Sequence, residues 1–167
     1  NEAANIEQSV MGCTKEEALE YQYKEACANY REAVQKVSLS EFFRRAQLAA
    51  LTDNERELGI HKSDAETIER EELNQATKEE VRAYWHQYAL KQYRSAVAEI
   101  KQSTFPSLEQ IKALESKAQE LDLLENEVAT IEREELVDTK ENYYTKKHQE
   151  ALVYYRAQVA NAWQNKW

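Results

Sequence analysis

The sequence contains very little of what β-sheets and tight turns require, with only two glycines and one proline among 167 residues. These two residue types supply the backbone conformations of hairpin turns, so their scarcity argues against an all-β or α/β fold. Good helix formers such as glutamate, alanine, lysine and leucine dominate instead. The composition therefore predicts an all-α protein, and the length is sufficient for one domain.

Basic charge and long apolar runs are also scarce. The net charge is -9, and an acidic surface repels phosphate groups, so we expect no nucleic-acid partner. No apolar run approaches the ~20 residues of a membrane-spanning helix, which predicts that there is no transmembrane segment. These features favour a cytoplasmic protein.

Catalytic and cofactor-binding patterns are missing as well. Two glycines cannot form a glycine-rich phosphate loop, and the sequence has no Cys-x-x-Cys. The residues three positions before His61, His86 and His148 are not glutamate, which excludes the paired Glu-x-x-His motifs of di-iron bundles. Cys13 and Cys27 are too few for a disulfide framework and indicate half-buried thiols in a reducing compartment. We predict no catalytic residue, no cofactor and no metal site.

An internal repeat with a period of 63 residues is the strongest positive feature. The sequence Ile-Glu-Arg-Glu-Glu-Leu at 68–73 recurs unchanged at 131–136, and Thr-Lys-Glu-Glu at 14–17 recurs at 77–80. A third, partial copy starts at Thr139, offset by 62, and repeats the Tyr-Arg pair of the first two copies at 155–156. Stacked repeats bury apolar stripes that a single unit leaves exposed.

The repeat predicts a single helical domain over 1–167. Residues 1–13 are the end of a preceding unit or a cap, 14–76 form repeat one, 77–138 form repeat two, and 139–167 form a partial repeat three. Ile6-Glu7 and Met11 resemble the end of a unit, so the end pieces are either caps or parts of a larger array. Two and a half units cannot curve far, and we expect an elongated helical bundle or a short solenoid.

Each repeat is predicted to contain three helices, termed A, B and C. Helix A begins at the Thr-x-x-Glu capping boxes of 14–17 and 77–80. Helix B follows Ser40 and Ser107, and Ser107 with Gln110 forms another capping box. Gly59 is the predicted left-handed stop of the first helix B. The residues spaced to face a core are Leu19, Tyr23, Ala26, Tyr30, Val34 and Val37 in the first helix A, Val81, Trp85, Tyr88, Tyr93, Val97 and Ile100 in the second, and Leu108, Ile111, Leu114, Ala118 and Leu121 in the second helix B.

Helix C is predicted to follow Ser63 in repeat one and Asn126 in repeat two, with a break at 74–76 before the next helix A. The residues expected to face inward are Ala65, Ile68 and Leu73. The Glu-Arg-Glu-Glu stretches at 69–72 and 132–135 are expected to face water as intrahelical charge pairs, and a divalent-cation site is the less favoured alternative.

Aromatic residues give the candidate contact sites. Neighbouring residues on a helix point about 100° apart, so the tyrosine pairs at 143–144 and 154–155 cannot both lie at the centre of one narrow stripe. Trp163 and Trp167 lie four residues apart and form an apolar patch that no later helix B of this sequence covers. The residues expected to contact a partner are Trp163, Trp167, Tyr154 and Tyr143. The partner is a protein, adjacent repeats, or a second copy in a homo-oligomer.

Two stretches carry a resemblance to a known group of proteins. Residues 58–69 (Leu-Gly-Ile to Ile-Glu), 121–132 (Leu-Asp-Leu to Ile-Glu) and the tyrosine-rich helix that follows resemble helical repeat segments of cyanobacterial multidomain proteins. In that group such segments accompany Ser/Thr kinase or tetrapyrrole-regulator domains, and the plastid inner-envelope import scaffold is similar more loosely. The proline usual between helices C and A is replaced here at 74–76 and 137–138. The resemblance implies a non-enzymatic scaffold segment, with peripheral thylakoid or membrane association as an alternative to a free cytoplasmic protein.

Three functions are compatible with these patterns. The repeat and the missing catalytic patterns favour a non-catalytic protein-protein interaction or scaffold module, part of a larger polypeptide or assembly. The alternative is a helical binder of a pigment, lipid or other hydrophobic small molecule, suggested by ten tyrosines and three tryptophans. An enzyme that uses acidic residues and a metal ranks third, so we predict that the protein is not an enzyme.

Overall fold

The computed structural model describes residues 14–40 and 43–164, and this part of the chain forms seven α-helices without a strand. In chain order they are α1 (Lys15–Ser38), α2 (Arg45–Leu58), α3 (Lys62–Glu72), α4 (Lys78–Gln102), α5 (Leu108–Glu120), α6 (Glu125–Leu136) and α7 (Lys140–Gln164). The all-α prediction is confirmed. None of the described helices is long and apolar enough to cross a membrane.

Two compact units divide the chain between Trp85 and His86. In the first unit, α1 packs against α2 and α3, and the first turns of α4 complete the core. The buried apolar residues of this core are Tyr30, Val34, Val37, Leu48, Leu51, Ile60, Ala65, Ile68, Leu73 and Val81. Because α3 has only 11 residues and isolated helices below ~12–15 residues are marginal, burial of its apolar face is what stabilises it.

The second unit has a core of the same kind, built from the rest of α4 together with α5 and α6. Tyr143 and Tyr144 of α7 pack against this core and are half-buried. Its buried apolar residues are Ala89, Tyr93, Val97, Ile100, Ile111, Leu114, Leu121, Ile131 and Leu136. Burial of each such valine, leucine or isoleucine side chain contributes about 1.5–3 kcal/mol to folding.

Capping boxes begin several helices, as the sequence predicted. In each box a hydroxyl accepts a hydrogen bond from the backbone three residues later, and the side chain there accepts one in return. The confirmed boxes are Thr14 with Glu17, Thr77 with Glu80, and Ser107 with Gln110. The predicted start after Asn126 is two residues late, because the Glu127 carboxylate accepts a hydrogen bond from the Leu124 backbone N–H at 2.8 Å.

The predicted starts of helices B and C in the first repeat are also displaced. α2 begins at Arg45, and the Ser40 hydroxyl accepts a hydrogen bond from Gln47 Nε2 at 3.0 Å instead of capping the helix. α3 begins directly after His61, whose backbone N–H donates to the Tyr23 hydroxyl at 3.0 Å. A contact between distant helices therefore fixes this start, and the serine predicted as the cap lies inside α3.

Three residues that were predicted to face the core are exposed. Leu19 lies in the first turns of α1, whose buried residues begin at Tyr30. Tyr88 is exposed because the buried stripe of α4 passes through its neighbour Ala89. Leu108 is the first residue of α5 and precedes the part of that helix that is buried.

The helix ends match the predicted breaks. Gly59 ends α2 with φ of 64°, a left-handed conformation that a residue without Cβ adopts at little cost, as predicted. Asn74 and Gln75 also have positive φ, and α3 ends at Glu72, so helix C does not continue into the next helix A. The break predicted at 74–76 is confirmed.

Val137 occupies an unfavourable backbone conformation at the end of α6. Its φ is 64°, which crowds a β-branched side chain, and the side chain is 87% exposed, so no packing offsets the strain. Asn74 holds the corresponding place, 63 residues earlier, with φ of 54°. We expect Val137→Asn to raise the free energy of unfolding by about 1 kcal/mol, and Asn74→Val to lower it comparably. Urea denaturation measures both, and unchanged stability in both variants would contradict the strain.

Candidate functional site

A buried glutamate joins three helices of the first unit. The Tyr30 hydroxyl of α1 donates a hydrogen bond to Glu69 Oε1 of α3 at 2.5 Å, and Lys78 Nζ of α4 donates to the same oxygen at 2.8 Å. The backbone N–H of Lys78 donates to Glu69 Oε2 at 2.8 Å, so the carboxylate also satisfies the first turn of α4, where a helix favours negative charge. Tyr30 and Glu69 are both 0% exposed. We term Tyr30, Glu69 and Lys78 the first Tyr-Glu-Lys cluster.

The tyrosine hydroxyl and the lysine ammonium of the first cluster are both protonated at neutral pH. Burial and the Glu69 carboxylate raise the pKa of the Tyr30 hydroxyl well above its ordinary value. Burial by itself would lower the pKa of Lys78, but hydrogen bonds to Glu55, at 2.5 Å, and to Glu69 outweigh burial and raise it. A neutral hydroxyl and a charged ammonium at neutral pH suit a structural link, since proton transfer requires a pKa near the working pH.

The second unit contains the same arrangement, termed the second Tyr-Glu-Lys cluster. The Tyr93 hydroxyl donates to Glu132 Oε1 at 2.6 Å, and the backbone N–H of Lys140 donates to Glu132 Oε2 at 3.1 Å. Lys140 Nζ lies 3.3 Å from Glu132 Oε1 and 3.0 Å from Glu141. Burial and the Glu132 carboxylate raise the pKa of the Tyr93 hydroxyl, as in the first cluster.

The prediction that helix C presents its glutamates to water was wrong for Glu69 and Glu132. Both carboxylates are buried because each has a tyrosine hydroxyl, an ammonium and a helix N-terminus as partners. The outer glutamates do face solvent in part, but they pair between helices rather than within one. Arg31 lies 2.6 Å from Glu71 and 3.1 Å from Glu72. In the second unit, Arg94 pairs in the same way with Glu134 and Glu135.

The third Tyr-Arg pair, on α7, has a different environment. Tyr155 lies 62 residues after Tyr93 and is 67% exposed, whereas Tyr30 and Tyr93 are 0% exposed. Leu152 and Val159 lie on the same side of α7, one turn before and one turn after Tyr155, and both are exposed. We term Leu152, Tyr155 and Val159 the α7 face. In the part of the chain that the structure describes, this helix A surface is exposed, whereas helices cover the equivalent surface in the two units.

No match to this chain emerges from comparison with protein-family models, curated proteins and solved structures. The chemistry of the α7 face and of the two clusters therefore carries the functional argument. In both units the tyrosine of helix A is covered by a glutamate of helix C and a lysine of the next helix A. The two clusters therefore show which groups bury this tyrosine position.

The four predicted contact residues have different surroundings. Trp163 is exposed and lies two turns beyond Tyr155 on α7. Tyr154 is exposed as well, and its ring centroid lies 6.1 Å from that of Phe105. Tyr143 is half-buried, near the start of α7, and its hydroxyl is 3.5 Å from the Lys101 carbonyl oxygen. Trp167 lies outside the described residues.

Tyr155, the most informative residue of this surface, was not among the residues predicted to contact a partner. The signal was present, since the Tyr-Arg pair recurs at 30–31, 93–94 and 155–156. Tyr30 and Tyr93 are buried in their units, so the third tyrosine of the repeat, Tyr155, is expected to be buried by a similar contact. Tyr154 corresponds to Gln92 and Trp163 to Lys101, so the two predicted aromatics lie beside the repeated stripe.

A groove between α4 and α5 in the second unit bears on small-molecule binding. Its volume is about 390 Å³, which is in the range of ligand sites. The lining residues are Gln92, Ser95, Ala96, Glu99, Ile100, Gln110, Ala113, Leu114 and Lys117. Polar side chains form much of this lining and no aromatic residue contributes, whereas a pigment or lipid favours apolar and aromatic walls.

Metal-ligating residues do not converge in the part of the chain that the structure describes, where no group of three His, Cys, Asp or Glu side chains could hold an ion. His86 Nε2 lies 3.2 Å from Glu127, and Cys27 is a half-buried free thiol. Cys13 lies outside the described residues. The acidic stretch that suggested a cation site pairs with Arg31 instead.

Proposed function

We propose that this chain is a non-catalytic protein-interaction or scaffold module, part of a larger polypeptide or assembly, and that the α7 face binds a helical protein surface. The exposure of Tyr155 carries this proposal. Two tyrosines at the corresponding positions are fully covered by helices of their own unit, so the same side chain on α7 has the chemistry of a buried anchor. Exposed apolar patches of this kind mark interaction sites.

The chemistry of the α7 face specifies what a partner must supply. In both units the equivalent surface meets aliphatic side chains, a carboxylate for the tyrosine hydroxyl, and acids for the neighbouring arginine. Leu152 and Val159 are 43% and 38% exposed, so covering what remains exposed would contribute roughly 0.5–1 kcal/mol each. A tyrosine with one apolar side and a polar tip is a frequent anchor of protein interfaces. A helix with aliphatic and acidic residues on one side satisfies all of these groups.

Site-specific photocrosslinking tests the proposal. A photoreactive phenylalanine derivative at position 155 or 159 is expected to give discrete protein adducts in the source extract, and excess unlabelled chain should compete with them. Asn161 lies about 120° around the helix from Tyr155 and provides the matched control position. Equal labelling from all three positions, or none from 155 and 159, would remove the support for an α7 interaction site.

Native mass spectrometry of the same preparation tests the small-molecule alternative. If the chain is an interaction module, the spectrum should show the mass of the polypeptide alone or of protein complexes. A small-molecule adduct that survives in the Tyr155→Ala variant would favour the alternative.

A further inference from the structure

The chain itself carries a segment that matches the cover missing from the α7 face. Residues 1–13 lie outside the described residues, and their sequence shows the match. The segment at 1–7, Asn-Glu-Ala-Ala-Asn-Ile-Glu, matches the start of α6 at 126–132, Asn-Glu-Val-Ala-Thr-Ile-Glu, at five of seven positions. In the second unit, α6 is the helix that supplies Glu132 to Tyr93.

The match is concentrated at the positions that are buried in α3. Ala65, Ile68, Glu69 and Leu73 are buried in the first unit. The residues 62 positions earlier are Ala3, Ile6, Glu7 and Met11. Three are identical, and methionine for leucine conserves volume. The exposed Glu71 and the half-buried Glu72 correspond to Ser9 and Val10, so these outer charges are lost while the buried positions keep their chemical character.

A lysine in the right place follows this segment. Lys15 lies 63 residues before Lys78 and follows the same threonine cap. Lys78 is buried against Glu69, and Lys140 is half-buried against Glu132, whereas Lys15 is exposed. One end of the chain thus carries the glutamate and lysine of a Tyr-Glu-Lys cluster, and the other end carries the tyrosine, Tyr155.

We infer that the α7 face of one molecule binds the N-terminal segment, residues 1–15, of a second copy of this chain. The Tyr155 hydroxyl of one copy donates a hydrogen bond to the Glu7 carboxylate of the other, and Lys15 of the second copy neutralises that carboxylate. Ile6 and Met11 cover Val159 and Leu152. This inference rests on the proposed function and names the partner of the same surface.

The geometry of the contact decides what kind of assembly results. The two surfaces are different, so the contact is head-to-tail, and each bound copy offers a free α7 face to the next. Each contact supplies a counterpart of helix C but no counterpart of helix B. The N-terminal segment also has Ser9 and Val10 at the positions where the two units have the glutamates that pair with Arg31 and Arg94. We therefore expect reversible association in the micromolar range that extends beyond dimers as the concentration rises.

Complementation between two full-length variants tests the inference. Tyr155→Glu places a carboxylate opposite Glu7 and disables the α7 face, and Ile6→Glu, which puts a charge where an apolar contact is needed, disables the N-terminal segment. In sedimentation velocity, each variant alone is expected to associate at least about tenfold more weakly than the unaltered chain. An equimolar mixture of the two is expected to form dimers and nothing longer, because only one intact contact is available.

The control variant is Tyr154→Glu, which places the same charge next to the α7 face and is expected to associate as the unaltered chain does. Circular dichroism should show equal helix content in all variants. A monomeric unaltered chain, a mixture that stays monomeric, or equal dissociation of the Tyr154→Glu variant would overturn the inference. If the unaltered chain is monomeric while crosslinks at position 155 capture another protein, the head-to-tail contact fails and the interaction function stands.

Discussion

Glu69→Ala is expected to lower the free energy of unfolding by about 3–5 kcal/mol, the usual cost of removing one partner from a buried ion pair. The substitution leaves the Tyr30 hydroxyl and the backbone N–H of Lys78 buried without their acceptor. It also leaves the Lys78 ammonium with Glu55 as its main carboxylate partner. Urea denaturation followed by circular dichroism measures the loss.

Glu71→Ala is the matched control for this experiment. Glu71 lies two residues away on the same helix, is exposed, and pairs with Arg31 at the surface, so its removal should cost less than about 1 kcal/mol. Glu132→Ala should fall between the two, since Lys140 is more exposed than Lys78 and keeps Glu141 at 3.0 Å. Equal effects of Glu69→Ala and Glu71→Ala would show that the carboxylate does not hold the helices together.

Tyr93→Ala and Tyr155→Ala are expected to differ by several kcal/mol although the two tyrosines occupy corresponding positions of the repeat. Tyr93 is fully buried and bonded to Glu132, so truncation should cost about 3–5 kcal/mol, as for other large aromatic side chains in cores. Tyr155 is exposed, and its truncation should change the free energy of unfolding by no more than about 0.5 kcal/mol.

This comparison is made at a protein concentration low enough to keep the chain monomeric, with denaturant titrations of both variants. Arg94→Ala and Arg156→Ala give a second pair at the neighbouring positions, and both should have small effects because Arg94 is paired at the surface. A large loss for Tyr155→Ala under these conditions would mean that the chain covers the α7 face itself.

Local signals in the sequence predicted much of the fold. The Thr-x-x-Glu boxes at 14–17 and 77–80, Gly59, and the break at 74–76 depend on neighbouring residues, and the structure contains all of them. The start of α3 was displaced because it depends on the Tyr23 hydroxyl, 38 residues away in the chain. Features set by contacts between helices are those that the local pattern did not reveal.

The burial of Glu69 illustrates this limit most clearly. Within a Glu-Arg-Glu-Glu stretch, one carboxylate is indistinguishable by type from its neighbours, and acids in such stretches usually face water. What separates Glu69 is the pair of partners that the fold brings to it, Tyr30 from 39 residues away and Lys78 from nine residues away. Comparison of repeats offers a signal, because the glutamate persists at position 7 where its acidic neighbours do not.

The contact between Glu69 and Lys78 also determines where the protein can be divided. The sequence period would place a cut near residue 76, yet Lys78, Val81 and Trp85 belong to the core that precedes them. A fragment that stops at 76 would retain Glu69 in an apolar interior while losing its cation. The first compact unit is therefore out of phase with the repeat by about two helical turns, and a fragment that ends after residue 85 is expected to keep the partners of Glu69 that a fragment ending at 76 loses.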